Sequence, residues 1–83
     1  MNHFMNALYR NGDGCAVTGY YRDVPFAGKI ANVRCTYGDG LNVYVDLDDA
    51  IVIAGHARNA LVLDGKELFD GAGAVTKNLH VYF

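Results

Sequence analysis

The sequence predicts an all-β barrel of five or six antiparallel strands behind a short N-terminal helix, and three observations predict it. Gly-Asp punctuation is dense, with NGDG at 11–14, GDG at 38–40, DG at 64–65 and DGAG at 70–73. The apolar runs between these clusters are short, as strands bounded by turns are. When the chain is folded about its turns, apolar residues fall opposite apolar ones, as an antiparallel pair with one buried face requires.

At the N-terminus, Met1, Phe4, Met5, Leu8 and Tyr9 fall at helical spacing. Asn11-Gly12 ends that helix, because either residue takes the left-handed conformation of a C-terminal cap. A helix of about nine residues is marginal alone and must pack on the barrel to persist.

The first hairpin turns through Arg22-Asp23-Val24-Pro25, which holds the single proline. It pairs Tyr21 with Phe26, Gly19 with Gly28 and Val17 with Ile30, all on one face. Pro25 holds Val24 extended and removes a donor at the strand edge. The two glycines leave room for a close approach by another strand or side chain.

The second hairpin turns through Gly38-Asp39-Gly40. It pairs Tyr37 with Leu41, Cys35 with Val43 and Val33 with Val45 inside. Outside it pairs Thr36 with Asn42, Arg34 with Tyr44 and Asn32 with Asp46. The first hairpin sends even positions inward and the second sends odd ones, so the phase must slip near Ala31-Asn32, as a β-bulge allows. A long bent strand of this kind is how a small barrel turns its corner.

The third hairpin turns through GHARN (55–59) and pairs Ile53 with Leu61 and Ile51 with Leu63. Its other face, Val52 with Val62 and Ala54 with Ala60, is apolar too. That face must meet the helix, the C-terminal NLHVYF or a second copy of the chain, which makes it the expected homo-oligomer surface.

The 83 residues are read as one domain (1–83), with the helix at 1–11 and the barrel at 15–83. A composition 52% hydrophobic and 19% charged excludes intrinsic disorder. The net charge of −2 argues against a strongly electrostatic nucleic-acid binder. Nucleic-acid binding through Arg22, Lys29, Arg34 and Arg58 is the rival to a binding module, and a structural subunit of a larger assembly is the third reading. No apolar run approaches the roughly 20 residues of a membrane span. The start MNHFMNALYRN does not read as a secretory signal. Cys15 and Cys35 are expected to be buried, reduced thiols in a cytoplasmic protein.

The chain has no serine, and neither His56 nor His80 is spaced to serve a cysteine nucleophile, so the expectation is a non-enzyme without a catalytic residue. DLDD (46–49) lacks the EF-hand spacing, and His3, His56 and His80 lack ligand spacing, so neither metal nor cofactor is expected. NGDGCAVTG lacks the ending of a phosphate loop. Two features suit binding. Arg34 faces the Tyr44 ring on the exposed side, and His56, Arg58 and Asn59 are expected on the third loop. Guanidinium forks, an amide and an aromatic ring recognise a carboxylate, a phosphate or a flat base. Arg34, Tyr44, His56, Arg58 and Asn59 are therefore the candidate site, for a host protein or a small anionic or planar ligand.

The run CAVTGYYRDVPFAGKIANVR with LNVYVDLDD resembles the first strands of SH3-like barrels of the Tudor and KOW kind. That resemblance implies a small SH3-like barrel. It also implies an aromatic cage, for which Tyr20, Tyr21, Phe26, Tyr37 and Tyr44 are available. The pairing above assigns Tyr21, Phe26 and Tyr37 to the core, leaving Tyr20 and Tyr44 outside. PFAGKI, VYVDLDDAIVIAG and ARNALVL together resemble short reading frames of tailed bacteriophages and prophages. The expectation that follows is a binding protein, such as a host-defence inhibitor or a ligand-sequestering protein.

Overall fold

Residues 3–36, 40–72 and 74–83 are described by a computed structural model. Helix α1 (His3–Asn11) buries Leu8 and packs Phe4 and Met5 against the core, and it ends at the expected place, with Gly12 N–H donating to the Leu8 carbonyl at 2.9 Å. The left-handed residue, however, is Gly14 (φ 83°), not Asn11 or Gly12. The helix covers strand β2 (Val24–Thr36).

Strand β1 (Ala16–Tyr21) turns into β2 through two residues, not four. Arg22 and Asp23 both have positive φ, 50° and 65°, the type I′ pattern whose twist suits a hairpin. Every expected pair is therefore displaced by two: Tyr21 faces Val24, Gly19 faces Phe26 and Val17 faces Gly28. An even displacement keeps each residue on its face. Val17, Phe26 and Ile30 are buried as anticipated. Pro25 thus lies inside β2. It is tolerated because β3 pairs with β2 only from Gly28 onward, so at Pro25 the strand has a single neighbour.

The bulge falls where the phase argument places it, since the β2–β3 register shifts between Ile30 and Asn32. Strand β3 (Gly40–Ile53) again pairs two residues away from expectation, with Cys35 facing Leu41 and Val33 facing Val43. Residues 37–39, and with them the expected inward Tyr37, lie outside the described residues. Val33, Leu41, Val43 and Val45 are buried, but Cys35 is exposed. Cys15 is half-buried, its thiol donating to the Asn11 carbonyl at 3.1 Å. The expected pair of buried thiols is thus corrected: both are free, and neither is fully enclosed. Cys35 is one pair from the end of its hairpin, opposite the buried Leu41.

The third hairpin departs most. It turns at Ala54-Gly55, with φ of 50° and 81°, and β4 runs from His56 to Leu63. GHARN is therefore not a loop, and the pairs expected about it do not form. Ile53 faces His56, Ile51 faces Arg58, Val45 faces Leu61 and Tyr44 faces Val62. An Ala-Gly pair satisfies a two-residue turn, so the tighter hairpin forms. The surplus is absorbed in β3, where Leu47 to Ala50 stand opposite Asn59 between the Asp46–Ala60 and Ile51–Arg58 pairs. This irregularity leaves Asp46, Asp48 and Asp49 in water and Leu47 half-buried. Ala54 is a β-carbon-bearing residue in a left-handed conformation. Ala54→Asn is expected to raise stability by about 0.5–1 kcal/mol, and the β-branched Ala54→Val to lower it; thermal melts check both.

After β4, Asp64 caps the single turn α2 (Gly65–Leu68), its Oδ1 accepting from Lys66 N at 3.0 Å and Glu67 N at 3.2 Å. That turn drives Leu68 into the core. The chain returns as β5 (Leu79–Tyr82), which pairs with β1. The sheet order is β4-β3-β2-β1-β5, antiparallel throughout, and among the described residues β4 and β5 do not pair, so the sheet is open. Its inner face, closed over by Leu8 and Leu68, is the core. No helix among the described residues is long and apolar enough to cross a membrane.

Candidate functional site

A groove of about 520 Å³ opens beside the bulge at Ala31. Its size lies within the roughly 300–1,000 Å³ of small-molecule sites. Val45 and Leu61, both core residues, contribute to its lining, as do Ala60 and Val62 of β4. Its polar groups come from three strands: Asn32 and Arg34 from β2, Tyr44 and Asp46 from β3, and Arg58 from β4. Tyr21 adds a second aromatic ring from the end of β1.

Arg34 does not face Tyr44 directly, because the displaced register sets it opposite Asn42 and sets Tyr44 opposite Asn32. The diagonal still brings the guanidinium over the ring, at 5.8 Å from its centroid. A contact of this kind contributes about 0.5–1 kcal/mol at an exposed site and restricts where the guanidinium points. Neither Arg58 nor Asp46 forms an ion pair or side-chain hydrogen bond among the described residues. The groove therefore holds a guanidinium and a carboxylate whose hydrogen-bonding capacity faces solvent.

Of the five residues expected at the site, Arg34, Tyr44 and Arg58 line this groove, while His56 and Asn59 do not. Arg58 and Asn59 are successive strand residues and point to opposite sides. His56 belongs to the Ala54-Gly55 turn end. Tyr21, Asn32 and Asp46 were not expected at the site. The outward pairing of Asn32 and Asp46 was the available signal for two of them. Tyr21 is half-buried, not wholly in the core, and its ring carries Arg22 at 5.5 Å. An aromatic cage is not assembled among the described residues: Phe26 is buried and Tyr20 lies on another part of the sheet, beneath the Lys77 ammonium at 5.1 Å. Lys29 stands opposite Asp46, so Arg22, Lys29, Arg34 and Arg58 do not form an unbroken basic stripe.

Near the Arg22 turn, Glu67 has its carboxyl raised above the ordinary glutamate range, by partial burial first and by the charge of Asp64 second, with Arg22 acting the other way. No cluster of three or more His, Cys, Asp or Glu side chains suited to a metal occurs among the described residues. Comparison with protein-family models, with curated proteins and with solved structures found no match.

Proposed function

We propose that this chain is a non-enzymatic binding module whose groove holds a small anionic, planar ligand or an equivalent group on a host protein. The observation that carries the reading is the convergence of Arg34, Arg58 and Tyr44 from three strands on one groove with an apolar floor. Two guanidiniums supply forked donors for a carboxylate or phosphate, and the rings and methyl groups supply a flat wall. Such a module acts by occupancy, sequestering a ligand or blocking a partner. Together with the resemblance to short phage reading frames, this supports a phage-encoded host-defence inhibitor working in the host cytoplasm. The finer architectural reading, an SH3-like barrel, is part of the same proposal. It is supported by the bent second strand and by the return of β5 beside β1.

The test uses 1-naphthyl phosphate, a flat ring bearing one phosphate. Arg34→Ala and Arg58→Ala are each expected to weaken its binding by about 1.5–3 kcal/mol with the melting temperature little changed, while Lys66→Ala leaves binding unchanged. Equal binding by all three variants would remove the groove from the account.

A second reading, self-association, draws on exposed apolar residues. Val52 and Val62 are 61% and 47% exposed, and Ala54 and Ala60 are exposed too, but Val52 faces Ala57 and Val62 faces Tyr44, so the expected Val52–Val62 and Ala54–Ala60 pairs do not form. Val62 and Ala60 also line the groove, so a second copy seated there competes with a ligand. Under this reading, light scattering at high micromolar concentration gives more than one chain, and Val62→Glu returns the mass to one. A single-chain mass for the native protein contradicts it.

A further inference from the structure

The groove carries one group that an anion-binding site does not need. Asp46 places a carboxylate among two arginines, on the strand between them, and a carboxylate can only accept hydrogen bonds. A simple phosphate or aromatic acid would engage the guanidiniums and leave that carboxylate without a donor. A ligand that satisfies the whole lining must therefore present an anion to the guanidiniums and a pair of N–H donors to Asp46, joined by a flat ring.

Among common planar ligands, a guanine nucleotide has this combination. Guanine offers its ring N–H and amino group side by side, which match the two oxygens of one carboxylate. Adenine offers an amino group beside a ring nitrogen that is an acceptor, which a carboxylate repels. The Asn32 amide, with donors and an acceptor, can serve the rest of the base edge. Tyr21 and Tyr44 give aromatic surfaces on which a purine stacks. The volume of about 520 Å³ accommodates a mononucleotide with room for a further linked residue.

We infer that the groove binds a guanine nucleotide, with the base edge on Asp46 and the phosphate on Arg34 and Arg58. This rests on the ligand-binding reading of the groove given above and narrows it to one chemical class.

Calorimetric titrations with GMP, AMP, guanosine, inorganic phosphate and 1-naphthyl phosphate test it. GMP is expected to bind at least about tenfold more tightly than AMP, and more tightly than guanosine or phosphate alone. Asp46→Ala is expected to bring GMP and AMP to within about twofold of each other without lowering the melting temperature, since Asp46 is exposed. Arg58→Ala weakens GMP and leaves guanosine unchanged. Equal or tighter binding of AMP, or a GMP preference that survives Asp46→Ala, overturns the inference. If 1-naphthyl phosphate binds through the arginines while the nucleotides show no base preference, the inference fails and the anionic-groove reading stands. If none of the five binds, both fail.

Discussion

Val45→Asp is expected to abolish folding. Val45 is 1% exposed, lies between Ile30 of β2 and Leu61 of β4, and forms part of the groove floor. The substitution removes about 1.5–3 kcal/mol of side-chain burial and places a carboxyl among the buried apolar side chains of the core. The further cost of burying that group is several kcal/mol. A chain of 83 residues has roughly 4–12 kcal/mol of stability in all. Circular dichroism should show no cooperative melt at 25 °C. Val52→Asp, on a side chain 61% exposed, should melt close to the native protein. A native-like melt for Val45→Asp would mean that the inner face is wrongly assigned.

Gly28→Ala is the second large effect. A β-carbon at Gly28 would collide with the backbone carbonyl of Asp46, and the Asp46 carbonyl carbon would lie 3.0 Å away. Backbone cannot rotate aside as a side chain can, so β2 and β3 must separate where they cross at Gly28. Overpacking of this kind costs about 1–3 kcal/mol, and the upper end is expected here. For a domain of this size the melting temperature should fall by roughly 10–20 °C. Because Asp46 lies in the groove, the same substitution should also weaken ligand binding. Gly65→Ala, where an added β-carbon meets nothing within 4 Å, is the control and should change the melt little. A Gly28→Ala melt matching that control would refute the close crossing.

Faces were more legible in the sequence than partners. Alternation fixes which side of a strand a residue occupies, so the burial of Val17, Phe26, Ile30, Val33, Val43 and Val45 could be read directly, as could the bulge at Ala31 where two alternations conflict. Turn length is encoded more weakly. Arg22-Asp23 lacks the Asn-Gly signature, yet it makes a two-residue turn with positive φ at both positions, and the first register moved by two as a result. Ala54-Gly55 did the same to the third hairpin. There the surplus of Leu47 to Ala50 changed which residues oppose one another as well as the register. This is why His56 and Asn59 left the site while Arg58 remained. Arg34 and Tyr44 survived a wrong register because diagonal neighbours on one face still lie within reach of long side chains. Tyr21 could not have been found from pairing, since its place in the groove depends on how far the sheet bends.

The central claim is that Arg34, Tyr44 and Arg58 form one ligand site on the bent sheet. Amide and side-chain NMR shifts recorded during a titration with GMP test it most directly. Perturbations should concentrate on Asn32, Arg34, Tyr44, Asp46 and Arg58, with the Arg34 and Arg58 guanidinium signals moving most. Shifts gathered instead on the exposed Tyr20, His80 and Tyr82 surface of β1 and β5, or no saturable shifts anywhere, would contradict it.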